Sequence, residues 1–169
     1  MIKSGRKTAL QMKHDVVFKS FLKTDLGEKF IKKVVNKTLF FVASSKPSSV
    51  AVICTTQKQM ESLARRYKKG YGKAEGRHAL NVLSFNLSDG AKGSGPIGDI
   101  FIGVSTAKEE ASAWDMSFKE YVALLIIHGI LHLAGFEHEK DKKNRQKMEA
   151  MEEKILQSVF PTIKFKYYI

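Results

Sequence analysis

Residues 128–138 read HGILHLAGFEH, and three of the five histidines in the chain fall inside this stretch. His128 and His132 are four apart in an apolar run, so on a helix their side chains stack on one face, a turn apart. Two imidazoles presented in this way form half of a metal site. Gly135 is suited to end the helix in the left-handed conformation, and His138 follows soon enough to close a three-histidine cup. Three neutral nitrogens with one position left for water is a catalytic zinc arrangement, so the expected cofactor is one Zn²⁺ ion held by His128, His132 and His138.

The spacing equals that of the metzincin proteases, H-E-x-x-H-x-x-G-x-x-H, with one difference that decides the chemistry. A metzincin carries its general base, a glutamate, directly after the first histidine. Here that position is Gly129, which has no group to take a proton. A closed structural zinc site is opposed as well, since such sites normally end on a fourth Cys or His and none lies nearby in the sequence.

A chain of 169 residues with 43% hydrophobic residues reads as one domain that buries a core without metal or disulfide support. Cys54 is the single cysteine and sits in an apolar, strand-like run, which fits a buried thiol in a reducing cytosol. The N-terminus has basic residues but no apolar segment behind them, so no signal peptide is read and a cytoplasmic location is expected. Tyr121–Ala134, the most apolar stretch, is too short for a membrane span and reads as a buried helix. The partners expected therefore include no membrane.

Lysine and arginine number 29 against 17 acidic residues, a net charge of +12. That balance favours a polyanion, and the cations cluster: Arg65, Arg66, Lys68, Lys69, Lys73 and Arg77, interleaved with Tyr67 and Tyr71. The stretch reads as a nucleic-acid contact.

The elements that position these residues follow from pattern. Val16–Phe18 suggests a first strand. Asp25 with Glu28 has the form of a capping box for a helix over 26–40. Val50–Cys54 reads as a buried strand, and Thr55 or Thr56 caps a helix through Tyr67 with Met60 and Leu63 facing in. After the basic loop, Leu80–Leu87 and Ile97–Val104 give two more strands. Ser105 or Thr106 opens a short helix, and Ser117 with Glu120 opens the histidine helix. The last helix starts near Asp141, packs through Met148, Met151, Ile155 and Val159, and ends at Pro161. Ile163, Phe165 and Tyr167 alternate with lysines as in an edge strand. The fold class is α+β, with α/β as the alternative: a single domain with a small mixed β-sheet packed against helices and the metal-binding helix in the C-terminal half. Residues 1–13 are read as a frayed or disordered N-terminus, 14–161 as the domain, and 162–169 as a tail.

HGILHLAGFEH resembles the H-G-x-L-H-L-x-G-[YF]-[DE]-H motif of the YbeY family. The stretches VLSF at Val82–Phe85, GDI at Gly98–Ile100 and MEAMEEKIL after the histidines are similar too, so the likeness spans about residues 50–158. The resemblance implies a zinc-dependent, single-strand-specific endoribonuclease acting in ribosomal RNA maturation and ribosome quality control. Its partners would be single-stranded RNA, in the form of ribosomal RNA or the small ribosomal subunit. The family reads Tyr-Arg at the end of its second helix, where this chain has Tyr67-Lys68, and the following connection is longer and contains Arg77. Lys68 and Arg77 are thus the alternative candidates for the anion-stabilising catalytic cation. Glu137, with Asp99 beside it as a secondary candidate, would act as an acid/base or support a ligand imidazole. A non-catalytic, zinc-containing ribosome assembly factor and a metalloprotease are the rival readings.

Overall fold

The computed structural model describes residues 14–42, 46–67, 80–88, 95–136 and 141–164. Its order is β1 (Asp15–Ser20), α1 (Glu28–Phe41), β2 (Ser49–Thr55), α2 (Gln57–Tyr67), β3 (Val82–Asn86), β4 (Ile97–Gly103), α3 (Val104–Ala113), α4 (Phe118–Leu133) and α5 (Lys142–Val159). The four strands form one sheet in the order β1-β2-β4-β3. β1, β2 and β4 run parallel, while β3 pairs antiparallel with β4 and forms one edge. This is the α+β architecture with a mixed sheet that the pattern predicted.

Alternation along the strands sorts side chains between two layers. Val50, Val52, Cys54, Ile100 and Ile102 belong to the main core, together with buried residues of α1, α4 and α5. Ile53, Met60 and Ala64 are buried on the α2 side of the sheet. Met60 packs inward as expected, with Ala64 rather than Leu63 as its fully buried companion. Cys54 is fully buried, also as expected.

The histidine helix α4 is the centre of the core. From Tyr121 to Leu133 every residue is buried except His128 and His132. Burying a Leu or Ile contributes about 1.5–3 kcal/mol, and this helix carries seven such side chains, all buried. Its start is fixed by a complete capping box: the Ser117 hydroxyl accepts from the Glu120 amide at 3.3 Å, and the Glu120 carboxylate accepts from the Ser117 amide at 2.8 Å.

Two sequence expectations about helix starts are corrected. α1 begins at Glu28 with Gly27 as its N-cap and no side-chain cap; Asp25 instead forms an ion pair with Lys119 on α4 at 3.5 Å. α3 begins at Val104 directly after β4, again without a side-chain cap, so neither Ser105 nor Thr106 opens it. The later expectations fit better. Asp141 caps α5 by accepting from the Asn144 amide at 2.8 Å, and α5 ends before Pro161. Ile163 and Lys164 are not in a strand, and the rest of that tail, like residues 1–13, lies outside the described residues.

Candidate metal centre

His128 and His132 are the two polar interruptions in the last part of α4, and both rings remain half-buried. The helix places them with ring centroids 4.5 Å apart and planes at 79°. Their Nε2 atoms converge to 3.0 Å.

Each ring is held from behind by an acceptor. The Nδ1 of His128 lies 2.7 Å from Oε1 of Glu152, a nearly fully buried carboxylate on α5. The Nδ1 of His132 lies 3.1 Å from the carbonyl oxygen of Phe136. A carbonyl only accepts, and an ionised carboxylate does too, so in the neutral rings the proton sits on Nδ1 and the lone pair on Nε2. Two lone pairs facing each other at 3.0 Å repel one another and attract a cation. Two nitrogen ligands on a tetrahedral zinc ion, each at about 2.0–2.1 Å, would be separated by roughly 3.3–3.4 Å. The pair therefore fits a metal with a few tenths of an ångström of relaxation.

The Phe136 carbonyl is delivered by the helix end. Gly135 takes φ of +89°, its amide donates to the His132 carbonyl at 2.9 Å, and the Phe136 amide donates to the Leu131 carbonyl at 2.9 Å. That pair of bonds is a Schellman motif, which needs a residue at ease in the left-handed region. Gly135 thus does more than end the helix; it turns Phe136 back onto a histidine.

Gly129 has a different reason to be glycine. A Cβ at this position would lie 3.0 Å from Cδ1 of Ile100 and 3.1 Å from its Cγ2. The residue after His128 faces β4, so a metzincin-type glutamate here would be driven into the sheet. Ile100 faces α4, and alternation along β4 sends Asp99 to the opposite side. Asp99 is therefore not brought to the imidazoles.

His138, Glu137, Lys68 and Arg77 lie outside the described residues. Among the described residues no group of three possible metal ligands is assembled. The end of α2, from which the basic stretch departs, is described: Arg65 and Arg66 are exposed, the Arg66 guanidinium sits 5.4 Å from the Tyr67 ring centre, and Tyr67 meets Phe85 edge-on at 5.4 Å. Glu152 was missed by the sequence reading. A signal existed, because it falls four residues after Met148 and three before Ile155, on the apolar stripe of α5 where a carboxylate has no reason to be unless it is paired.

The fold and site together define an α+β domain whose core helix offers a braced histidine pair at one end. The profile of the family described as Endoribonuclease YbeY matches residues 16–159. A relative from Shouchella clausii, the "Endoribonuclease YbeY" of that organism, is 32% identical over 139 residues, covering 76% of this chain and 82% of its own. The protein of the same name from Phytoplasma mali is 32% identical over 138 residues, covering 81% of this chain and 84% of its own. The solution structure of TM1509 from Thermotoga maritima, at 22% identity, superposes with a TM-score of 0.57 over 88% of this chain and 90% of that one, and it shares the fold. The chain belongs to the endoribonuclease YbeY family.

Proposed function

We propose that this chain is a zinc-dependent, single-strand-specific endoribonuclease that works in the cytoplasm on ribosomal RNA, in its maturation and in ribosome quality control. The observation that carries the reading is the convergence of the His128 and His132 Nε2 atoms to 3.0 Å, with both Nδ1 atoms bound to acceptors, in a member of an endoribonuclease family. His138 is the third proposed ligand. A zinc ion, when bound, supplies a Lewis acid that acidifies water and polarises a phosphoryl oxygen.

The chain's own residues then divide the remaining work. The Phe136 carbonyl keeps the His132 imidazole in the tautomer that presents Nε2. Lys68 or Arg77 stabilises the charge that builds on the phosphoryl oxygens. Glu137 handles a proton or supports a ligand. Arg65 and Arg66, with the basic stretch beyond them, hold the phosphate backbone, and exposed Tyr67 offers a ring face to an unpaired base. The proposed partners are single-stranded RNA, as ribosomal RNA or in the small ribosomal subunit.

Proteolysis is opposed by the packing of Gly129 on Ile100, which leaves no room for the general base at that position. The test is metal analysis of the purified chain beside cleavage of single-stranded and duplex RNA. Stoichiometric zinc, lost in His128→Ala, His132→Ala and His138→Ala, with turnover of the single strand only, is the expected result. Zinc without turnover would instead make the chain a non-catalytic assembly factor, and full zinc in all three variants would remove the site.

A further inference from the structure

We propose that Glu152 is a positioning residue: from the C-terminal helix α5 it sets the tautomer and orientation of His128 and thereby sets the affinity of the centre for its metal. The proposal rests on the metal-site reading above and extends it to a residue on a different helix.

The geometry separates this role from direct ligation. Oε1 of Glu152 is 2.7 Å from Nδ1 of His128, while the atom that converges on His132 is Nε2, on the other side of the ring. The carboxylate therefore stands behind the imidazole and not in the ligand set. Its setting is also unlike that of a chance surface pair. The Glu152 side chain is 3% exposed and that of His128 30%, so the carboxylate is held in the protein while the ring edge opens outward. Met148, Ile155 and Leu156, all fully buried on the same helix, fix where Glu152 stands. Among the other carboxylates, Glu61 and Glu28 pair with lysine or arginine one helical turn away at the surface. Glu152 alone among the described carboxylates is buried, and it is directed at a ring nitrogen.

A buried carboxylate is costly unless a strong donor meets it, and an imidazole N–H is such a donor. In return the carboxylate makes the ring a better electron donor at Nε2 and removes the competing tautomer, in which Nε2 carries the proton and cannot bind a metal. His132 receives a weaker version of the same support from a neutral carbonyl at 3.1 Å. The two ligands are thus unequal, and the stronger one depends on α5 being docked.

The experiment uses the full chain and zinc alone, titrated against a chromophoric chelator, with ¹⁵N spectra of the histidine rings in the metal-free protein. Glu152→Gln keeps the shape and an acceptor but loses the charge, and it should weaken zinc binding by about 10-fold; Glu152→Ala should weaken it by about 100-fold. In metal-free Glu152→Ala, the His128 ring should shift from the Nδ1–H toward the Nε2–H form, while His132 keeps its own. Wild-type zinc affinity in Glu152→Gln, or in Glu152→Ala if it folds, overturns the proposal, as does an unchanged His128 tautomer. His128→Ala is the separate control. If it binds zinc as tightly as the wild type, the metal-site reading itself fails; if it loses zinc while the Glu152 variants do not, only the positioning role fails.

Discussion

Gly129 on α4 and Ile100 on β4 touch so closely that the helix rests on the sheet through a missing side chain. A Cβ at 129 would meet three Ile100 carbons at 3.0, 3.1 and 3.2 Å, and Ile100 is fully buried, so it would have to give by a few tenths of an ångström inside the packed core. In a helix, Gly→Ala ordinarily stabilises by about 1 kcal/mol, whereas overpacking a tight core costs about 1–3 kcal/mol. Gly129→Ala should therefore lower stability despite the better helix former, by up to about 2 kcal/mol in urea unfolding. Gly129→Glu should be worse and should gain no peptidase activity, since the carboxylate would enter the sheet layer. A stabilised Gly129→Ala would mean the helix and sheet are looser than these distances imply.

Gly135 makes the opposite case, with open space around it and a demanding backbone. A Cβ placed on Gly135 would have nothing within 4 Å, but φ is +89°. An L-residue there costs about 1–2 kcal/mol. Relaxing that strain moves the Phe136 carbonyl away from Nδ1 of His132. Gly135→Ala should thus lower both the unfolding free energy, by about 1 kcal/mol, and zinc affinity, by roughly 10-fold. Gly135→Asn should lose less of each, because asparagine tolerates the left-handed region. A loss of stability with unchanged zinc affinity would show that the carbonyl brace is dispensable.

Sequence and structure agree most where one local rule suffices. Ser117 and Glu120 predicted a capping box and form one, and the apolar run after them became the buried helix. The same spacing at Asp25 and Glu28 misled, because a local pattern does not reveal that Lys119, remote in sequence, draws the aspartate away. Strand positions were legible from β-branched runs, but the sheet order β1-β2-β4-β3 was not, since it depends on which strands the helices bring side by side. Glu152 escaped notice for a similar reason. Its place on the apolar stripe of α5 is a local signal, but that the stripe brings it to a histidine on another helix depends on packing that no local pattern shows.

Alkaline solution should weaken the fold through two buried acids. Burial pushes the Cys54 thiol up to about 11, from 9.0. Tyr121 is raised well above its usual range, first by burial and then by the hydrogen bond to Glu110, whose carboxylate accepts from the phenol at 2.7 Å. The native state holds both protons more tightly than the unfolded chain, so their contribution is intact below about pH 9 and falls as the pH rises through about 9–11 and beyond. Every tenfold difference in proton affinity between the native and unfolded states corresponds to about 1.4 kcal/mol. Urea unfolding from about pH 8 to about pH 11 should show the decline, and Cys54→Ala and Tyr121→Phe should each flatten it. Constant stability across that interval would contradict the burial of both groups.

Lys68 and Arg77 are the two cations proposed for the reaction. Tyr67 ends α2 braced against Phe85, whose ring in turn meets Phe101 edge-on at 5.7 Å, so the basic stretch departs from a fixed point on the sheet. Lys68 is the first residue after that point in the sequence, while Arg77 has the planar fork that grips a phosphate in two places. If Lys68 stabilises the transition state, Lys68→Ala should lower the single-turnover cleavage rate at saturating RNA by about 10²–10³-fold with zinc still bound, and Lys68→Arg should keep or raise it. A residue that only binds RNA should instead lose affinity and retain the saturated rate. Arg77→Ala under the same conditions is the comparison that assigns the role. Should neither variant slow the saturated rate, charge stabilisation from this stretch is excluded, and these cations serve to hold the RNA and not to accelerate its cleavage.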